Sequence, residues 1–598
     1  LERDADEAVL GWFYRPREEK LMTRQPESTP HVECRDSAHQ PERHEAPSPE
    51  RAPAAALSRR AFFRRMRGVT VATLTAGSVG TALLSRTTRA WAQATAMGPA
   101  DLLTRRWQAY RRRQEAAMAQ GSLPLPICPT NGDEAAYPTP IASFTKGLPH
   151  NALGEGDPTA YAALRAALTT GQATAFEALP MGGQIPLANP QAAYAFDLEG
   201  LDPHHVAIRA PPAFWSAEMA AEMVELYWQA LTRDVPFAAY EAHPLIQEAA
   251  ADLSRCSAFH GPRTNGRVTP ATLFRGLTPG DLTGPYLSQF LWLDVPSGML
   301  TLVQRGRVPI AGDDSMTTYP DWLAIQRGMP PARPNVLDAT PRYLRHGRDL
   351  STYVHKDFTY QAFLNAGLIL LAMRAPFQAT NPYRHSRTQS GFVTFGAPHV
   401  LDLVGRVANA ALKATWCQKW LVHRRLRPEE FAGRVHQTLS GAVRYPIHTD
   451  VLNAVAPSTL FHNTETYLLP MAYPEGCPLH PAYPAGHAAI AGACATVLKA
   501  FFQTSFVIPN PVEASADGLA LLPYRGPDLT VGGELHKLAS NIALGRDTAG
   551  VHWRSDGIEG IKLGEAVAIG ILRDLRATYH EDFQGFSLTT FDGATITI

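Results

Sequence analysis

The sequence predicts an all-α (mainly α) protein, a large helical bundle with long Pro/Gly-rich loops. Three observations lead there. Apolar residues recur at helical spacing in one segment after another, only one short stretch alternates weakly as a strand would, and proline and glycine clusters punctuate the joints. At 598 residues and 45% hydrophobic content, the chain is long enough to bury a large core. Lys+Arg and Asp+Glu balance at 55 each, so no nucleic-acid partner is expected and any local group of cations needs a local reason.

Residues 1–57 are rich in Glu, Arg, Pro, Ser and His and hold too little apolar surface to order, so a disordered leader is expected. Residues 58–94 resemble a twin-arginine signal peptide: Arg59-Arg60, a mild apolar run from Gly68 to Leu84, then small residues suited to cleavage near Ala92 or Ala94. The implied destination is periplasmic or secreted. That run is short, weakly apolar and broken by glycines, so no stable membrane span is expected. So long a polar leader makes Met22 a candidate start.

Residues 95–199 read as an N-terminal helical and loop region, with a helix from Leu102 to Ala119, and 200–598 as the larger helical domain. Asp197 to Ala210 alternates weakly and reads as a short extended piece. Ser216 fits an N-cap, followed by Met219, Met223, Leu226 and Ala230 on one face. Further helices are expected at 243–255, 316–327, 358–374, 399–426, 486–503, 533–544 and 556–578. The cysteines (Cys34, Cys128, Cys256, Cys417, Cys477, Cys494) lack the CxxC spacing of zinc or iron-sulfur sites.

Three segments carry chemistry. In His480-Pro-Ala-Tyr-Pro-Ala-Gly486-His487, a rigid turn feeds a helix with its apolar stripe at Ile490, Cys494, Val497, Leu498 and Phe501. A glycine at a helix mouth leaves unpaired N–H groups and the positive dipole end open to an oxyanion. Trp416 to Pro428 holds Lys419 and Arg427 at a helix end that Pro428 must terminate. Gly545 to Asp556 reads as a loop carrying Arg546 and His552. Each segment alone also suits a bland role: a capped core helix, a solvated basic end, an ordinary connection. Together, Lys419, Arg427, Gly486, His487, Arg546, His552 and Asp556 would put three fixed cations, a helix mouth and two imidazoles around one tetrahedral oxyanion.

The pattern Lys-x7-Arg-Pro, Pro-Ala-Gly-His, Arg-x5-His-x3-Asp resembles the signature of the type 2 phosphatidic acid phosphatase and vanadium-dependent haloperoxidase superfamily. Seven residues between Lys419 and Arg427 looks like the bromoperoxidase branch. The segments 214–220, 284–290 and 343–349 look like bacterial haloperoxidases, so the resemblance covers roughly residues 200–580. It implies the haloperoxidase/acid phosphatase bundle as the catalytic domain and vanadate as cofactor. Lys419, Arg427, Arg546 and the Gly486 N–H would then bind vanadate oxygens, with His552 as the ligand to vanadium. His487 becomes the acid/base, Lys419 polarises the peroxide, and Asp556 orients His552. Hydrogen peroxide, a bromide or iodide ion and a small organic acceptor are the implied partners, and a homo-oligomer the expected assembly. His480 and Trp416 fall beside the implied halide site, with His480 standing where the family's chloroperoxidases tend to carry an apolar aromatic. Ala485 departs from the family's usual Ser. Two other readings use the same residues: an exported acid phosphatase with His552 as nucleophile, and a non-catalytic oxyanion-binding relative.

Overall fold

The structure, a computed structural model, describes residues 102–598, and these fall in one compact unit. The expected leader (1–57), the signal peptide (58–94) and residues 95–101 lie outside the described residues. The longer helices are α1 (Leu102–Gly121), α2 (Pro158–Thr170), α3 (Ala217–Leu231), α4 (Pro244–Arg255), α5 (Gly347–Lys356), α6 (Gln361–Ala372), α7 (Ala397–Cys417), α8 (Pro428–Leu439), α9 (Val455–Thr464), α10 (Gly486–Phe501), α11 (Val531–Thr548) and α12 (Arg554–Arg576).

Local chemistry accounts for several boundaries. Ser216 caps α3 by accepting the Met219 amide at 3.1 Å, and Met219, Met223, Leu226 and Ala230 are all buried. Pro428 does not close the preceding helix. It opens α8 at the first helical position, where a missing N–H costs nothing. The expected helix 399–426 ends earlier: α7 stops at Cys417, the chain widens into one π-type turn at Gln418–His423, and Arg424 with a φ of 42° breaks it. The stretch 197–210 forms no strand, holding only bends and a short 3-10 turn at Pro203–His205.

Strands are nevertheless present. Among the described residues, three antiparallel hairpins pair Val295–Ser297 with Leu300–Leu302, Val512–Ala514 with Leu521–Pro523, and Ser587–Thr589 with Thr595–Thr597. Three residues are too few to display a period of two, which is why the sequence hid them. Helices α2, α5, α8 and α9 were also unforeseen. Helix α5, for example, begins on Gly347, and its cap is an imidazole, with His346 Nδ1 accepting the Asp349 amide at 3.2 Å.

Helix α10 is the axis of the main core. Of its 16 residues only His487 is not buried, so the foreseen stripe is part of an all-round apolar surface packed by α7, α11 and α12. Small residues let α12 lie almost backbone to backbone on it. A Cβ at Gly492 would run into the Ile561 carbonyl, and one at Gly564 into that of Ala489. This close approach fixes the start of α10 against the start of α12, where the Ala485 amide donates to the Asp556 carbonyl at 2.9 Å. A second core gathers α3, α4 and α8, and Trp553, wholly buried, ties it to the α11–α12 loop through Nε1 to the Leu426 carbonyl at 3.1 Å. All five described cysteines, Cys128, Cys256, Cys417, Cys477 and Cys494, are free thiols. No helix among the described residues is long and apolar enough to cross a membrane.

Candidate active site

Three cations from three elements converge. Lys419, in the wide turn after α7, is fully buried, and its Nζ donates to the Pro481 and Ala482 carbonyls at 2.7 and 2.6 Å. Arg427 immediately precedes α8, where its N–H is held by Glu430 Oε2 at 2.8 Å. Its guanidinium reaches the His480 and Val551 carbonyls at 2.9 and 2.6 Å and the His480 ring at 2.9 Å. Arg546 lies on the last turn of α11, not in a loop as the sequence suggested. It donates to the Val354 carbonyl at 2.7 Å and lies over the Tyr473 ring, while its Nε is buried with no partner.

These bonds go to carbonyls, imidazole and phenol, so they engage the cations' donors in part and leave their charge unneutralised. Burial, then the charge of Arg427, pulls the Lys419 ammonium well below the ordinary lysine range. Burial also lowers Arg427. Asp556, whose charge acts on both Lys419 and Arg427, is already matched elsewhere. Its Oδ1 accepts from Arg425 at 2.7 Å, and Arg425 also binds Glu222 at 2.9 Å and Ser555 at 2.8 Å. Burial raises the Asp556 carboxyl and Arg425 opposes that shift. What remains is a buried pocket of uncompensated positive charge, an arrangement that an anion stabilises.

His552 sits among them on the short connection between α11 and α12. Its Nδ1 bonds Asp556 Oδ2 at 2.8 Å and its Nε2 lies 3.1 Å from Arg427 Nη1. Burial and the charges of Arg427, Lys419 and Arg546 hold it well below the usual histidine range, so the ring is neutral. The network assigns the proton to Nδ1 and leaves the Nε2 lone pair facing the cations. This is the tautomer required of a ligand or a nucleophile.

The α10 start completes the enclosure. Ala485 is its N-cap with no side-chain cap, so the first amides of the helix have no intrahelical acceptor. Gly486 is not dictated by crowding, since a Cβ there would meet only ordinary contacts with Leu412 and Trp416. His487 forms no hydrogen bond with Lys419, Arg427, Arg546 or His552. It joins Asp357 instead, Nε2 to Oδ1 at 3.1 Å, at the end of α5, the helix whose Val354 carbonyl also receives Arg546. His480 stacks at a tilt on Trp416, with ring centroids 4.8 Å apart, and burial with the adjacent Arg427 and Lys419 holds it neutral.

Against known proteins, the chain is 36% identical to a vanadium-dependent bromoperoxidase of Corallina officinalis, over 81% of this chain and 96% of that protein. It is 35% identical to one from Ascophyllum nodosum, over 82% and 93%. The chain belongs to the vanadium-dependent bromoperoxidase family. The solved homohexameric second vanadate-dependent bromoperoxidase of Ascophyllum nodosum superposes on this bromoperoxidase-family chain with a TM-score of 0.78 at 28% identity, covering 89% of this chain and 95% of that one. The profile of the VCPO second helical-bundle domain matches residues 453–581, the stretch holding His480, Gly486, His487, Arg546, His552 and Asp556.

The donor set fits vanadate. Three buried cations without carboxylate partners, an orphaned Arg546 Nε, an uncapped helix start and a neutral imidazole with its lone pair inward suit a tetrahedral oxyanion bonded through one nitrogen. Sequence reasoning missed Asp357, Arg425 and Glu222. Arg425 lies inside a segment already singled out, two residues before Arg427, but nothing in its spacing tells a buried partner of Asp556 from a surface charge. Asp357 follows a helix the sequence did not reveal, and local spacing on α3 does not tell the buried Glu222 from a solvated charge.

Proposed function

We propose that this chain is a vanadate-dependent bromoperoxidase that uses hydrogen peroxide to oxidise bromide or iodide to hypohalous acid, which halogenates small organic acceptors. The carrying observation is the buried set of Lys419, Arg427 and Arg546 around neutral His552, uncompensated by carboxylates, in a chain of this family.

Lys419, Arg427, Arg546 and the Gly486 N–H would hold the oxygens of vanadate, and His552 would supply Nε2 as the ligand to vanadium. When bound, vanadate supplies a Lewis-acidic centre that activates hydrogen peroxide toward a halide ion. Asp556 fixes the His552 tautomer through Nδ1, and Arg425 with Glu222 fixes Asp556. Asp357 holds His487 by Nε2, which leaves Nδ1 as the nitrogen that takes or gives a proton. His487 is the residue of α10 that is not buried, so this acid/base group stands on the side from which small reactants enter. His480 and Trp416 wall the halide side. His480 engages Arg427 through both its carbonyl and its ring, which moderates the charge available there, so chloride is oxidised poorly or not at all.

The Arg59-Arg60 pair ahead of a weak apolar run supports export by the twin-arginine route to the periplasm or beyond, and with it a bacterial member of the family. Changing both to Lys should retain the precursor in the cytoplasm, and unchanged secretion would refute this. Self-assembly is expected by analogy with the homohexameric relative, and light scattering on the purified chain tests it. The decisive assay for the activity is peroxide-dependent bromination of a β-diketone with and without added vanadate, beside hydrolysis of a phosphate monoester. Hydrolysis without bromination would instead make the protein an acid phosphatase.

A further inference from the structure

Between α11, α12 and the segments 276–279 and 591–592 lies a cavity of about 340 Å³, lined by none of Lys419, Arg427, Arg546 and His552 and within the size range of small-molecule sites. Its walls are largely apolar: Leu277, Leu544, Ile558, Ile561 and Phe591. Its charges cancel in pairs. Arg554 is held by Glu225, with Nε to Oε2 at 2.8 Å, and Lys562 lies 3.5 Å from Asp592. Nearby Asp281 is engaged by Ser540 Oγ at 2.9 Å and the Thr278 amide at 2.8 Å.

One carboxyl is left without a hydrogen-bond partner. Asp547 lines the cavity, is only 2% exposed, and neither of its carboxylate oxygens has a hydrogen-bond partner. A buried carboxyl with both oxygens unmatched costs a folded protein several kcal/mol in the general case, and such groups persist where something pairs with them. Burial, then the Glu225 carboxylate, raises Asp547 well above the ordinary carboxyl range, with Arg554 opposing, so the carboxyl holds its proton until a cation lies beside it.

We propose that this cavity is a second ligand site, built for a small organic monocation whose ammonium or guanidinium head pairs with Asp547 and whose apolar body lies against Leu277, Ile558 and Phe591. An amine of one ring and a short arm fits the volume, the apolar walls and the single unpartnered carboxyl. Inorganic cations do not use the apolar walls, and anions meet the negative field of Glu225, Asp556 and Glu222 that acts on Asp547. The site is independent of peroxide chemistry, so it stands or falls apart from the proposed activity.

Calorimetric titration of the full chain, loaded with vanadate and without peroxide, tests the proposal with benzylamine as the probe. Saturable binding is expected, with benzyl alcohol and benzoate at least about tenfold weaker, because only the amine pairs with the carboxylate. Asp547→Asn should weaken benzylamine by about tenfold or more. Should that variant fail to fold, Leu277→Trp at the exposed rim fills the cavity and should abolish binding while leaving bromination in the absence of amine unchanged. Absence of saturation at millimolar benzylamine, equal binding of benzyl alcohol, or binding that survives Leu277→Trp would each overturn it.

Discussion

Position 485 offers the sharpest test of where the anion sits. Ala485 is the N-cap of α10, with extended backbone (φ −72°, ψ 125°), no exposure and no cap hydrogen bond. In Ala485→Ser the new Oγ can accept the Ala488 amide three residues on, which is the ordinary work of an N-cap serine and adds about 1 kcal/mol of stability. Its proton then remains for an oxygen of vanadate. A hydrogen bond to a charged group is worth about 1.5–3 kcal/mol, so vanadate should bind about tenfold to a hundredfold more tightly. Lys419, Arg427, Arg546 and His552 still supply most of the attraction, so the wild type fills when vanadate is added. Two measurements separate the two bonds: titration of apo-protein with vanadate, followed by calorimetry and by the half-saturation of bromination, and urea unfolding of the apo forms. A variant that is more stable but binds vanadate no better would mean the hydroxyl caps the helix without facing the anion, and the placement of the oxyanion at the start of α10 would be wrong.

His552→Ala should abolish vanadate binding, and Asp556→Asn should weaken it by about tenfold to a hundredfold because the Nδ1 proton loses its carboxylate; calorimetry on folded protein decides, and unchanged affinity in either refutes the ligand assignment. Bromide and iodide should be turned over and chloride poorly or not at all, and efficient chlorination by the wild type would refute the role given to His480. Arg425→Met should destabilise the fold by about 3–5 kcal/mol, since it strands Asp556 and Glu222 as buried charges, and a loss under about 1 kcal/mol in urea unfolding would show that the triad is not the brace described. Stability should also fall with acid. Burial lowers His150 and His346 from 6.5 to about 4, so below about pH 6.5 the unfolded chain takes up protons that the folded chain refuses, and the stabilisation present above that pH is lost progressively down to about pH 4. The loss is on the order of 2 kcal/mol per histidine at pH 5. Urea midpoints that stay level between pH 7.5 and 5 would contradict it.

The sequence by itself determined the class of fold, the strongest helices and the identity of the chemical groups. The stripe after Ser216 becomes α3 with the expected cap, and Lys419, Arg427 and His552 carry their types and spacings in plain view. It also determined where local rules would mislead. Pro428 opens a helix because the chain had already left α7 through a wide turn, and Arg546 belongs to α11 because burial by the surrounding helices carries that helix past Gly545. Only the tertiary structure decided which charges pair and which stay bare. Arg425 and Arg427 differ by two positions, yet one is neutralised by Asp556 and Glu222 while the other finds only carbonyls and imidazoles. Asp357 reaches His487 across 130 residues of chain. Periodicity and capping report on neighbours a few residues apart, whereas the field at a site depends on which distant backbones can touch, and here the small residues on the α10–α12 seam set that.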